Sequence, residues 1–195
     1  MNIKELGFPC VKLITPEIHH DSRGYFLETF NLKKLESCIN SGSFVQDNET
    51  YSVYGVLRGI HFQSPPYAQS KLMRVIQGEV FDVIVDLRSD SPTFGKHLEI
   101  ILNGDSKKML YVPRGFAHGF LVMSEKAVFS YKVDSYYHPK FERTLDWKDK
   151  TLNINWPLSE NEILLSEKDK YGLNWHQLPK IDKKGGSLES PYYRM

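Results

Sequence analysis

Short extended segments separated by turn signals recur along the first 137 residues, and this rhythm constrains the fold more than any other property of the chain. Apolar or alternating stretches run over Val11–Ile14, Tyr25–Phe30, 44–46, 55–63, Lys71–Ile76, Glu79–Leu87, His97–Leu102, Lys108–Val112, Phe116–Met123 and Val128–Val133. Asp21-Ser22-Arg23-Gly24, Gln77-Gly78, Asn103-Gly104-Asp105, Pro113-Arg114-Gly115 and Ser124-Glu125-Lys126 separate them, with residues suited to turns. About eight to eleven strands at such intervals predict an all-β fold, a barrel or double-sheet jelly roll. Gln77-Gly78 reads as a hairpin turn between the strands on either side. One helix is predicted over Leu32–Ile39, where Leu32, Leu35 and Ile39 share a face. Asn31 is its N-cap, and it ends before Asn40-Ser41-Gly42.

The chain has 195 residues, 41% hydrophobic and 25% charged. That predicts one domain with a substantial core, over 1–180. The tail 181–195 has no periodicity and is expected to be loose or packed on a partner chain. Lysine and arginine number 25 against 24 acidic residues, a net charge of +1. No basic field recruits nucleic acid. No run reaches the roughly 18 apolar residues of a membrane helix, and Met1–Pro9 lacks the apolar centre of a signal peptide. The expected location is the cytoplasm, with Cys10 and Cys38 reduced.

Two segments break the pattern of an ordinary core. In Gly55-Val56-Leu57-Arg58-Gly59-Ile60-His61-Phe62-Gln63, an arginine, a histidine and a glutamine interrupt a strand. Regular alternation places Arg58 on one face and Gly59, His61 and Gln63 on the other. His118 sits in a matching setting, Pro113-Arg114-Gly115-Phe116-Ala117-His118-Gly119-Phe120. Polar groups facing a sheet interior are costly unless paired or used. In Glu79–Leu87, Phe81, Val83, Val85 and Leu87 alternate with Val80, Asp82, Ile84 and Asp86, so two carboxylates enter a partly apolar face.

Two chemistries suit such histidines. A barrel metal site commonly uses a His-x-His pair and a glutamate. Here the second position is Gln63, a poor ligand, and Glu79 is the available acid. Acid–base work instead needs a histidine held by a carboxylate and an opposing group. Asp82, Asp86 and Asp169 are candidate orienters, and Tyr131 is a candidate acid, with Tyr136 and Tyr137 just beyond it. Arg23, Arg58 and Lys71 supply anion-binding groups, unless salt bridges to Glu28, Glu79 or Asp82 absorb them. Gln46, Asn48 and Glu49 suit the edge of a nucleobase, and Phe26 its face.

The motifs together resemble those of the dTDP-4-dehydrorhamnose 3,5-epimerase family, cupin-fold enzymes acting on nucleotide sugars. The resemblance rests on Asp21–Phe30, 44–48, Gly55–Gln63, 65–72, 78–88, Ser91–Gly95, Val112–Phe120, Tyr131-Lys132 and Leu165–Asp169, in that order. It implies a cupin jelly roll with short peripheral helices, a homodimer sharing N-terminal strands, and a reaction with no metal or organic cofactor. By motif it implies His61 as base, Asp169 as its partner and Tyr131 as acid. Arg58, Lys71, His118 and Tyr137 would contact the sugar or intermediate. Arg23, Phe26, Glu28, Gln46 and Asn48 would contact the nucleotide, some across the dimer. The implied substrate is a dTDP-4-keto-6-deoxy sugar, inverted at C3 and C5. Ser70 stands where relatives usually have glycine, and the run around Thr50 and Tyr54 also departs from them. An enzyme inverting one centre, a metal-dependent cupin and a sugar-binding module without turnover are the other classes the residues allow.

Overall fold

The computed structural model of the protein describes residues 1–8, 10–36, 39, 43–179 and 181. Among them, β1 (Asn2–Glu5), β2 (Lys12–Thr15), β5 (Gln46–Val53), β7 (Lys71–Gln77), β10 (Met109–Val112) and β12 (Lys126–Val133) form a six-stranded sheet ordered β1-β2-β10-β7-β12-β5. A second sheet is ordered β13-β6-β11-β8-β9, from β6 (Leu57–Gln63), β8 (Glu79–Asp86), β9 (His97–Asn103), β11 (Phe116–Val122) and β13 (Glu142–Thr144). A hairpin of β3 (Ile18–Asp21) and β4 (Gly24–Leu27) stands apart from both. All pairings within the three sheets are antiparallel. Two sheets packed face to face with crossing connections are the jelly roll that the strand rhythm predicts. No helix among the described residues is long and apolar enough to cross a membrane.

The main core lies between the sheets. Val80 and Ile84 from β8 and Phe116, Phe120 and Val122 from β11 meet Met73 and Val75 from β7 and Phe129 from β12. The alternate set, Phe81, Val83 and Val85 on β8 with Leu87 just after it, faces outward. It is covered by the C-terminal third through Leu145, Leu152, Trp156, Trp175 and Ile181. β8 and β11 are therefore buried on both faces, which explains their almost continuous apolar sequences. Ile163 and Leu165 dock against Leu57 and Leu121, closing one end as expected.

Gln77-Gly78 corrects the expected hairpin. β7 and β8 belong to different sheets, so the turn is a corner between layers. Gly78 has φ +82°, and a side chain there would lie 2.1 Å from the Lys126 carbonyl oxygen. The sequence signal for a tight reversal is the same in both cases, because it reports backbone direction and not pairing partner.

The helix α1 (Leu32–Leu35) is a single turn. Asn31 caps it as predicted, its side chain accepting from the Lys34 N–H at 3.3 Å. Glu36 is its C-cap, and positions 37 and 38 of the predicted helix lie outside the described residues, as does the tail beyond Ile181. Leu35 and Ile39 cover the outer face of the six-stranded sheet with Ile14, Leu72, Met109 and Tyr111.

Candidate active site

Between the sheets, a cavity of about 170 Å³ opens on one side. His61 and Arg58 reach it from β6, His118 and Phe120 from β11, Lys71 from β7, Phe129 and Tyr131 from β12 and Thr50 from β5. Glu142 from β13 and Lys168 complete the wall. Phe120 and Phe129 stack across the two sheets at 4.3 Å, giving the cavity an aromatic floor.

Arg58 and His61 share the cavity, although regular alternation puts them on opposite faces. The ladder between β6 and β11 explains this correction. His118 pairs with His61, but Phe120 pairs with Arg58, so three steps on β6 match two on β11. The extra residue is a bulge, which reverses the facing of all residues before it. Gly59 makes the bulge possible: its φ is +128°, and a Cβ would lie 2.6 Å from the Gly119 Cα. The glycines flanking both histidine motifs thus serve a single close approach of two strands.

Each cavity histidine has its own carboxylate. His61 Nε2 lies 2.5 Å from Asp169 Oδ1, and Ser166 Oγ donates to the other Asp169 oxygen at 2.8 Å. An ionised Asp169 accepts a hydrogen bond from the Nε2–H, which leaves Nδ1 with a lone pair. His118 Nε2 lies 2.8 Å from Asp82 Oδ2. Asp86 takes no part. It accepts from Arg88 at 2.7 Å and from the Ser91 and Thr93 hydroxyls at 2.6 Å, locking the loop after β8.

Burial lowers the His61 imidazole below its ordinary value. The hydrogen bond and charge of Asp169 oppose this, while Lys168 and Lys71 reinforce it. Burial also works against a charged Asp169, but His61, Ser166 and Lys168 outweigh it and hold the carboxyl below its usual range. The pair therefore consists of a neutral imidazole and a carboxylate at neutral pH, the state a general base requires. Burial raises the Tyr131 phenol, with Glu142 adding to it and Arg58 opposing, so this group keeps its proton. Lys71 is drawn down to about 8 by burial, against the pull of Glu142 and Asp82, and Lys168 adds a little. It makes no ion pair among the described residues.

Gln63 does not face the cavity. Its amide donates to the carbonyls of Tyr67 at 2.7 Å and Tyr136 at 3.2 Å, and accepts from the His138 N–H at 2.6 Å. Its polar atoms are committed to two loops, so it is not a ligand donor. Among the described residues no three His, Cys, Asp or Glu side chains converge to hold a metal.

The remaining predicted residues divide by position. Gln46 and Asn48 lie on β5 beside the cavity and bond each other at 2.8 Å, and Gln46 also accepts from the Tyr137 N–H at 3.0 Å. Tyr137 stands at the rim, donating to Glu142 at 2.9 Å. Arg23, Phe26 and Glu28 do not line the cavity. Arg23, with its side chain 88% exposed, pairs with Asp21, Phe26 is 69% exposed, and Glu28 pairs with Lys34. Glu142 and Lys168 are the functional candidates that the sequence does not single out. Lys168 directly precedes Asp169, the one cue that was available.

Residues 5–177 match the profile of the dTDP-4-dehydrorhamnose 3,5-epimerase family. The chain belongs to this family. A dTDP-4-dehydrorhamnose 3,5-epimerase of Shigella flexneri is 47% identical over 173 residues, 88% of this chain and 94% of that protein. The crystal structure of an epimerase of the same description from Elizabethkingia anophelis superposes with a TM-score of 0.86 at 44% identity, covering 90% of this chain and 97% of that one. A dTDP-6-deoxy-D-glucose-3,5-epimerase from Legionella pneumophila, solved in complex with dTDP-4-keto-L-rhamnose, gives 0.82 at 47% identity, covering 86% and 89%. The epimerase family also carries the fold, so the predicted cupin jelly roll holds.

Proposed function

We propose that this cavity epimerises a dTDP-4-keto-6-deoxy sugar at C3 and C5, as a dTDP-4-dehydrorhamnose 3,5-epimerase does in forming dTDP-4-keto-L-rhamnose. The observation that carries this is the arrangement of one base and one acid on opposing sheets. His61, held by Asp169, comes from the five-stranded layer, and Tyr131 from the six-stranded layer.

The C4 ketone acidifies the hydrogens on both neighbouring carbons. His61 Nδ1 removes one, and the electron pair moves into an enolate on the C4 oxygen. Lys71 and His118 stabilise that oxygen, where preorganised donors matter most because charge is developing. Tyr131 then delivers its proton to the opposite face of the carbon, the enolate collapses to the ketone, and the centre is inverted. Tyr131 recovers a proton from water, and His61 releases its own. Arg58 adds positive charge beside the sugar. Gln46 and Asn48 bind the nucleotide edge, with Tyr137 at the rim.

The exposed hairpin carrying Arg23 and Phe26 serves a second copy of the chain, where Arg23 takes a phosphate and Phe26 a base. Glu28 belongs to the same nucleotide set. The protein is thus a homodimer with cross-subunit contacts, working in the cytoplasm as one domain over 1–180, without a cofactor.

Incubation with dTDP-4-keto-6-deoxyglucose in deuterium oxide tests the reaction. Deuterium should enter at both C3 and C5. Label at one carbon only would reduce the assignment to a single-centre epimerase. His61→Ala should lose exchange at both positions, by about 10²–10⁴-fold. Tyr131→Phe should retain exchange and lose inversion. Normal exchange in His61→Ala would rule out the base.

A further inference from the structure

Tyr137 reaches the cavity rim from an irregular stretch, 134–138, between the end of β12 and the short turn Pro139–Phe141. The stretch has no strand partner among the described residues, and Tyr137 is 49% exposed. A side chain so placed would ordinarily swing freely. The backbone beneath it is nevertheless bonded at every residue. The Asp134 N–H donates to the Ser70 carbonyl at 3.4 Å, and Asp134 Oδ1 accepts from the Ser70 N–H at 2.7 Å. Gln69 donates to the Ser135 carbonyl at 2.7 Å. Gln63 donates to the Tyr136 carbonyl at 3.2 Å and accepts from the His138 N–H at 2.6 Å. Gln46 accepts from the Tyr137 N–H at 3.0 Å.

These bonds bracket Tyr137. The peptide plane before it is held at both ends, its oxygen by Gln63 and its N–H by Gln46. The plane after it is held through the His138 N–H, again by Gln63. Peptide units are rigid and planar, so two fixed planes fix the φ and ψ between them. Those angles aim the Cα–Cβ bond, and with it the ring. One glutamine therefore grips both planes. Gln63 is buried, and its amide also donates to the Tyr67 carbonyl at 2.7 Å. Tyr67 in turn stacks on the His138 ring at 4.1 Å. Gln63 stands two residues beyond His61 on β6, so the grip is anchored to the strand that carries the proposed base.

We propose that Gln63 is a positioning residue for substrate binding: it presets the Tyr137 ring at the cavity mouth, so that the ring meets the nucleotide sugar already ordered. This rests on the function proposed above, in which Tyr137 contacts the bound substrate. Gln63 does not line the cavity and acts through Tyr137. Ordering a mobile side chain during binding weakens affinity, and a preset one avoids that loss. His61 and Tyr131 do not depend on this grip, so its effect falls on binding and not on proton transfer.

Deuterium incorporation into dTDP-4-keto-6-deoxyglucose, measured against substrate concentration, tests this. Gln63→Met keeps the length of the side chain and loses all three bonds. It should raise KM about tenfold, the equivalent of one or two net hydrogen bonds. The rate at saturating substrate should stay within about twofold of wild type, as expected when only binding is lost. Tyr137→Ala should raise KM as well. In that background Gln63→Met should add nothing, because the group it aims is gone. A merely structural role would lower the melting midpoint and the saturating rate, leave KM in place, and add to Tyr137→Ala. Gln63→Asn, an amide one methylene too short, should also raise KM, and it takes the place of Gln63→Met if that variant does not fold. An unmoved KM in the folded variant overturns the proposal. So do additive effects in the double variant, or a wild-type KM in Tyr137→Ala. His61→Ala is run in parallel: normal exchange there overturns the catalytic assignment itself, whatever KM does.

Discussion

At the scale of single residues, the proposed mechanism needs two protonation states, and they oppose each other in pH. His61 must be neutral to accept a proton. Its value lies below the ordinary one, so activity should persist to lower pH than a free imidazole allows. Lys71 must be protonated to face an enolate. Its value is about 8, so activity should fall as pH rises through that region. The profile of kcat/KM is therefore a bell with a slightly acidic to neutral top. Lys71→Arg carries a group that does not titrate in this range, so it should lose the alkaline limb while retaining part of the rate. A limb that survives in Lys71→Arg would assign it elsewhere. His61 and Tyr131 stood out as candidates from their strand settings, whereas Asp169 was one of three candidate carboxylates and was singled out only by the family resemblance. Asp82 was legible only as an anomaly, since chain distance does not say which histidine it holds. Glu142 left almost no trace, because it lies on a three-residue strand in an irregular stretch.

At the scale of elements, strand order and facing depend on single residues that break regularity. Gly59 is the strongest case. Gly59→Ala meets both an unfavourable φ and the backbone of Gly119, which should cost about 2 kcal/mol or more. The damage should extend to catalysis, since Arg58 and His61 share the cavity only through the bulge. Urea unfolding and deuterium exchange on the same variant would show both losses. Stability within about 0.5 kcal/mol of wild type, the range of an ordinary surface change, would refute the close-approach argument. The extended runs themselves were readable from composition. The bulge was not, because a glycine in a strand marks a bulge, a bend or a close approach equally well. Nor was the corner at Gly78, since partner choice across a sandwich is a long-range matter. β1, β3 and β13 hold at most one apolar residue each, so neither an apolar run nor a periodicity reveals them.

At the scale of the whole molecule, the proposed nucleotide residues on the β3–β4 hairpin lie outside the cavity of their own chain. Mixing variants tests whether they serve another copy. An Arg23→Ala, Phe26→Ala double variant and a His61→Ala variant should each be poorly active alone. Refolded together, they should regain activity, because one site of each hybrid dimer then has an intact base and an intact hairpin. No recovery, or a mass of one chain by light scattering, would assign the hairpin to its own subunit.

The proposed base and acid stand on different layers, and each layer is a hydrogen-bonded ladder. β12 is paired on both edges, and β6 lies between β11 and β13. The gap between the two groups is thus fixed by the thickness of the sandwich, with the stacked Phe120 and Phe129 as the spacer. Jaws of this kind do not travel. One pair must nevertheless reach two carbons on either side of a ketone. With the pair held in place, the proposed double inversion requires the sugar ring to turn or re-seat between its two steps. Phe129→Leu would leave every polar group in place and still alter how well the second carbon follows the first.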